Sequence, residues 1–135
     1  MKSLYPVICS DHVLASRDFY VSLLGLVPVF ELDWYIQLQS PDDENLQIAF
    51  VDRQHPSVPG QYQKTSQGVV VTIELEHVDP IYTKAKSLGL AIELDLRDEE
   101  WGQRHFMSVD PNGLLVDIVQ MIQPKQEFLE RHGLL

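Results

Sequence analysis

This sequence reads twice. Leu24-Gly25-Leu26 closes one helix-patterned stretch and Leu88-Gly89-Leu90 closes another. Glu31-Leu32-Asp33 follows the first, and Glu93-Leu94-Asp95 follows the second. The same order of elements surrounds each pair. In the first half, L-Y-P-V-I-C (residues 4–9) reads as a strand. Val13, Leu14, Phe19, Tyr20, Leu23 and Leu24 then carry helical spacing, with Ser10 or Asp11 as candidate caps and Gly25 as the stop. Apolar runs at 26–31, 34–39 and 46–51 read as three further strands. In the second half, 68–75 reads as a strand and 77–89 as a helix, with Pro80 tolerated only in its first turn. Residues 90–96, 104–109 and 114–122 read as strands. Asp110-Pro-Asn-Gly113 is a turn by composition, with residues suited to positive φ at its last two positions.

A single strand–helix–three-strand unit leaves one sheet face bare, so the repeat itself predicts the architecture. The expected fold class is α+β: two βαβββ modules forming a curled mixed sheet around a cleft, helices outside. The whole of 1–135 is expected to be one domain, with module one at about 3–52 and a Pro- and Gly-bearing linker at 53–67. Module two then spans about 68–122, and a tail with a short helix runs from 123 to 135. A chain of 135 residues buries roughly two thirds of its unfolded surface and needs no metal or disulfide to hold it.

Composition removes several functions. Ten Lys and Arg stand against 20 Asp and Glu, a net charge of −10. Without a basic cluster there is nothing to neutralise phosphates, so no nucleic acid is expected as a partner. No uncharged apolar run approaches the roughly 18 residues of a span, so no membrane partner is expected either. The N-terminal segment lacks the apolar core of a signal peptide, and the only cysteine, Cys9, has no internal partner. The expected location is cytoplasmic.

Three segments then bear on family. S-R-D-F-Y-V-S-L-L-G-L (16–26), G-V-V-V-T-I-E-L-E-H-V-D (68–79) and W-G-Q-R-H-F-M-S-V-D-P-N-G-L-L-V-D-I-V-Q (101–120) resemble the vicinal oxygen chelate superfamily. That superfamily includes glyoxalase I, bleomycin-resistance proteins and extradiol dioxygenases. The resemblance covers residues 4 to about 122 and implies paired βαβββ modules and a homodimer. It also implies one metal ligand on each of four strands in the metalloenzymes of the family. Carried over, those positions fall on Tyr5, Ala49, Val70 and Asp117. Three of the four offer no histidine or carboxylate, and a divalent ion needs about four such donors, or three and a water. The chain is therefore similar to the metal-free, bleomycin-resistance branch, with no cofactor and no metal expected. The Trp of that branch's W-G pair, which stacks on the ligand, corresponds to Trp101. One extra residue separates W-G from the D-P turn here.

Strand parity extends the reading. If the four carried positions face the cleft, so do Val7, Cys9, Gln47, Val51, Thr72, Glu74, Leu115 and Val119. Leu4, Ile8, Ile48, Phe50, Val71, Ile73, Val116 and Ile118 then pack under the helices. The candidate ligand-binding residues are Trp101, Tyr5, Asp117, Trp34, Glu74, Gln47 and Thr72, a mostly apolar wall with a few polar groups. Each also has a plainer reading. Trp34 packs in the sheet or a dimer interface, Asp117 is a structural carboxylate, Tyr5 is core wall, and Glu74 is a solvated strand end. His12, His55, His77 and His132 read as surface residues, with His105 alone near the cleft, and Arg104 reads as an ordinary ion pair.

The expected function is a non-catalytic binding protein that sequesters a flat, partly apolar and, given the charge, cation-tolerant small molecule. The alternative is a lyase, isomerase or dioxygenase of the same superfamily. Its relocated site would hold a metal on Asp117, Glu74 and His105.

Overall fold

A computed structural model describes residues Met1–Leu135. The order is β1 (Val7–Ser10), α1 (Val13–Leu24), β2 (Val27–Glu31), β3 (Tyr35–Gln39), β4 (Gln47–Asp52), a 3₁₀ turn at Gly60–Tyr62 and β5 (Val70–Glu74). It continues with α2 (Asp79–Ser87), β6 (Ile92–Glu99), β7 (Gln103–Val109), β8 (Leu115–Met121) and α3 (Gln126–Arg131). The strands make two four-stranded mixed sheets, ordered β1-β4-β3-β2 and β5-β8-β7-β6. In each, the first strand lies parallel to the last and the remaining pairs are antiparallel. A parallel pair needs a crossover, and the intervening helix begins it. The fold is α+β, built from two βαβββ units.

The first compact unit comprises Met1–Gly68 together with Asp110–Leu114. Its core lies between α1 and one face of the sheet: Phe19, Tyr20 and Leu23 against Ile8, Ile36, Leu38, Ile48 and Phe50, all buried. The Tyr20 ring stacks on Phe50 with centroids 5.4 Å apart. Just ahead of α1 the Ser10 hydroxyl accepts the His12 N–H at 2.8 Å, a turn that leads into the helix. The N-cap position is His12 and no side chain caps it, so neither Ser10 nor Asp11 caps the helix as expected. At its end, Gly25 turns left-handed (φ 68°) and donates its N–H to the Val21 carbonyl.

The turn at 110–113 owes its place to the first unit. Asp110 accepts the backbone N–H groups of Asn112 (2.8 Å) and Leu114 (3.0 Å) and the Tyr20 hydroxyl (2.8 Å). Burial, and then the Asp110 charge, drive the Tyr20 phenol far above its ordinary pKa, so it stays a neutral donor. The Asn112 amide donates to the Ser16 hydroxyl at 2.9 Å. Only Gly113 takes a positive φ here, at 79°. Asn112 keeps a negative one, because Asp110 already closes the turn from its side chain.

The second unit comprises Val69–Val109 and Leu115–Leu135. Phe106, Val116 and Ile118 are buried with Val78 and Ala85 of the α2 segment, and Tyr82 meets Phe106 edge to face. Gln120 accepts the Val78 N–H at 3.0 Å, pinning the start of α2 to β8. Pro80 sits in the first turn, as its missing N–H requires.

Two expectations shift. The first strand begins at Val7 rather than Leu4, and Leu4 is 80% exposed instead of lying under a helix. Pro6 has no N–H for the ladder, so only its carbonyl pairs, with Ala49. Val71 and Ile73 are half-buried rather than fully covered. No helix is long and apolar enough to cross a membrane.

Candidate functional site

The pairing register decides which side chains share a face. In the first sheet, Val7 pairs with Ala49, Cys9 and Tyr35 with Val51, Gln37 with Ala49 and Gln39 with Gln47. Those residues therefore stand together on the face away from α1. A cavity of about 480 Å3 opens on this face, with Phe30, Trp34, Tyr35, Gln37, Val51 and Val58 among its walls. That volume is in the range of a small-molecule pocket.

Its aromatic wall is firmly set. Trp34 lies flat on His55, centroids 3.5 Å apart and planes within 2°, and meets Tyr35 at 5.9 Å. The linker supplying His55 is itself held. The Ser57 N–H donates to His55 Nδ1 at 3.1 Å, and the Gln63 amide donates to the His55 and Val58 carbonyls. His55, expected on the surface, is half-buried because this turn lays it against the indole. Along the sheet, the Tyr35 hydroxyl donates to Gln37, the Gln37 amide to Gln47, and the Gln47 amide to the Glu44 carbonyl. Burial, and then the neighbouring Tyr5 hydroxyl, push Tyr35 above the usual phenol value.

The equivalent face of the second sheet carries charge. Asp117 pairs in register with Thr72 and Met107, and His105 with Val119. The His105 ring, 3% exposed, bridges two carboxylates: Nδ1 to Asp117 at 2.7 Å and Nε2 to Glu99 at 2.8 Å. Burial opposes charging of the imidazole. The hydrogen bonds from Glu99 and Asp117 outweigh it, and the net effect raises the His105 pKa. In return, Glu99 is held below the ordinary carboxylate range, first by His105 and also by Arg97. Both ring nitrogens thus face carboxylate oxygens, and the raised pKa favours the imidazolium form, in which each donates one hydrogen bond.

Trp101 sits on the β6–β7 turn, 44% exposed, its indole N–H donating to Gln103 at 2.8 Å. Gly102 follows with φ +103°, and a Cβ there would stand 2.8 Å from both the Ile122 carbonyl oxygen and Pro124 Cγ. No other residue fits that turn while the tail packs across it. Arg104 pairs with Asp79 and Asp98, the ordinary ion pairs expected of it.

Among the sequence candidates, Trp34 and Gln47 belong to the first sheet's cavity and its ladder, and Tyr5 stands half-buried beside Tyr35. Asp117 is joined to His105. Thr72 and Glu74 are exposed, and Glu74 ends β5. Phe30, Tyr35, Gln37 and Glu99 were not singled out by the sequence. The alternation in Tyr35-Ile36-Gln37-Leu38-Gln39 carried the signal for two of them.

A metal of the family type does not fit. In the first unit its positions hold the Tyr5 phenol and the Ala49 methyl, and in the second, Val70 and Asp117. No three histidine, cysteine or acidic side chains converge in an arrangement able to ligate an ion. In the relocated set, both His105 nitrogens already hydrogen-bond carboxylates, Nδ1 with Asp117 and Nε2 with Glu99, and Glu74 stands at an exposed strand end.

The family description "Glyoxalase/Bleomycin resistance protein/Dioxygenase superfamily" matches residues 3–118, and the chain belongs to that superfamily. It is 27% identical over 128 residues to a bleomycin resistance protein of Geobacillus stearothermophilus, a match covering 87% of this chain and 96% of the relative. Among solved structures, TnmS3, an antibiotic binding protein from Streptomyces sp. CB03234, superposes with a TM-score of 0.66 at 20% identity, covering 90% of this chain and 96% of that one. The bleomycin resistance determinant encoded on transposon Tn5 gives 0.63 at 23% identity, covering 90% and 98%.

Proposed function

We propose that this chain is a metal-free binding protein of the bleomycin-resistance kind, which sequesters a flat, partly apolar small molecule rather than transforming it. The observation that carries this reading is the cavity on the first sheet, walled by Phe30, Trp34 and Tyr35 over an apolar floor. Rigid aromatic faces stack on planar guests and lose little entropy in doing so. Tyr5, beside Tyr35, supplies a polar contact in the first unit, and Trp101 of the second unit, half-exposed beside Gln103, offers a stacking surface of its own. The net charge of −10 suits a cationic guest. The relatives named above, whose descriptions refer to bleomycin resistance and antibiotic binding, support the same class of ligand. Its working form is a homodimer whose cleft takes the guest. The exposed apolar side chains of Val7, Phe30, Val70 and Met121 give a second copy something to cover.

Bleomycin is the first probe. Titration of the full chain, followed by tryptophan fluorescence and calorimetry, is expected to saturate. Trp34→Ala and Trp101→Ala are each expected to weaken binding by roughly 1 kcal/mol or more. Unchanged affinity in both variants, or no saturable ligand from bleomycin and a broad planar-compound screen, overturns the reading. So does stoichiometric metal in protein purified without chelator.

A further inference from the structure

The side-chain ladder on the first sheet has a direction, and one end fixes it. The Glu44 backbone carbonyl can only accept, so the nitrogen of the Gln47 amide must face it, at 2.7 Å. That turns the Gln47 oxygen towards Gln37, whose amide nitrogen donates to it. The Gln37 oxygen is then left for Tyr35, whose hydroxyl commits its one proton there at 2.9 Å. Flipping either amide would set donor against donor or acceptor against acceptor. The Tyr35 oxygen, at the open end of the chain, is therefore an acceptor only, and successive donation along such a chain strengthens that character. Burial and the adjacent Tyr5 hydroxyl keep the phenol protonated, as the ladder requires. A phenol oxygen holds two lone pairs, and with its proton committed to Gln37 it can meet a ligand only as an acceptor. Tyr35 and Gln37 both line the cavity, and Trp34 and Phe30 flank them.

We propose that this cavity selects flat ligands presenting an N–H or O–H donor to the Tyr35 oxygen, and rejects the same ring system when that hydrogen is replaced by methyl. This rests on the binding reading above and adds the chemistry of the guest. A ligand without the donor covers the Tyr35 acceptor and gives nothing back, and an acceptor stripped of water without a partner is costly. The hydroxyl cannot rotate to suit an acceptor ligand without breaking the ladder.

The matched probes are norharmane, a planar tricycle with a single indole-type N–H, and its 9-methyl derivative, each titrated into the full chain alongside bleomycin. The wild type is expected to bind norharmane roughly fivefold to tenfold more tightly than the methylated compound. In Tyr35→Phe, whose retained ring preserves the packing and whose fold is checked by circular dichroism, the ratio is expected to fall to near one. Equal affinities in the wild type overturn this inference and leave the binding reading standing. A ratio that persists in Tyr35→Phe also overturns it, because the discrimination is then steric. Saturation by bleomycin with no binding of either tricycle overturns it as well, while failure of all three ligands removes the underlying reading too.

Discussion

The two sheets share a topology and differ in what they put on the same face. β1-β4-β3-β2 presents aromatic rings, aliphatic side chains and a neutral ladder of tyrosine and glutamine around a cavity. β5-β8-β7-β6 presents a nearly buried histidine between two acids. Strand parity chooses the face in both, because a one-residue slip would expose the core set. It says nothing about the chemistry placed there. A duplicated scaffold thus keeps its hidden side for packing and specialises the other.

The largest expected effect separates the two faces by stability. His105→Ala leaves Glu99 and Asp117 without their bridging partner and is expected to cost about 3–5 kcal/mol in denaturant unfolding. On the first sheet, Gln47→Leu removes a ladder link from a half-buried position and is expected to cost about 1 kcal/mol. Equal costs would erase the contrast.

pH sharpens it further. The folded His105 pKa lies above its ordinary value of 6.5. Its contribution is therefore complete below pH 6.5 and is lost as pH rises through the folded value. Glu99 runs the other way, its pKa lying below the ordinary 4.5, so its contribution is complete above pH 4.5 and fades as pH falls through the folded value. The bridge is strongest between these limits. Melting temperatures measured from pH 5 to 9 are expected to decline on the alkaline side in the wild type and to flatten there in His105→Gln. A slope unchanged by that substitution would place the proton elsewhere.

The smallest effect tests the edge of the second sheet. Glu74→Gln, at an exposed strand end with no partner, is expected to move stability by less than about 0.5 kcal/mol. Bleomycin affinity is expected to stay level in the same titration. A loss there would return Glu74 to the site.

Much of this was legible in the residues. Gly25 and Gly89 marked both helix ends, and alternation assigned Ile8, Ile48, Phe50, Val116 and Ile118 to the buried set, while the cover over Ala49, Val51 and Val119 on the opposite faces was not announced by it. What escaped depended on neighbours distant in sequence. Glu99 reaches His105 only because β6 and β7 pair with irregularities at Ile92–Leu94 and Leu94–Arg97, which no spacing rule announces. His55 meets Trp34 because glutamine and serine contacts shape a segment whose composition says only turn. Trp101 was readable as a motif. That its glycine neighbour is dictated by the packing of Pro124 was not.

The loop from Asp110 to Leu114 belongs with the first sixty-eight residues, and this has a consequence for how the chain is made. Synthesis delivers the amino-terminal half first, yet Tyr20 and Ser16 wait for an aspartate and an asparagine that the ribosome has not added. The early half must idle, incompletely latched, until its clasp emerges. Splitting the gene between the repeats would yield two pieces, of which the leading one could never finish.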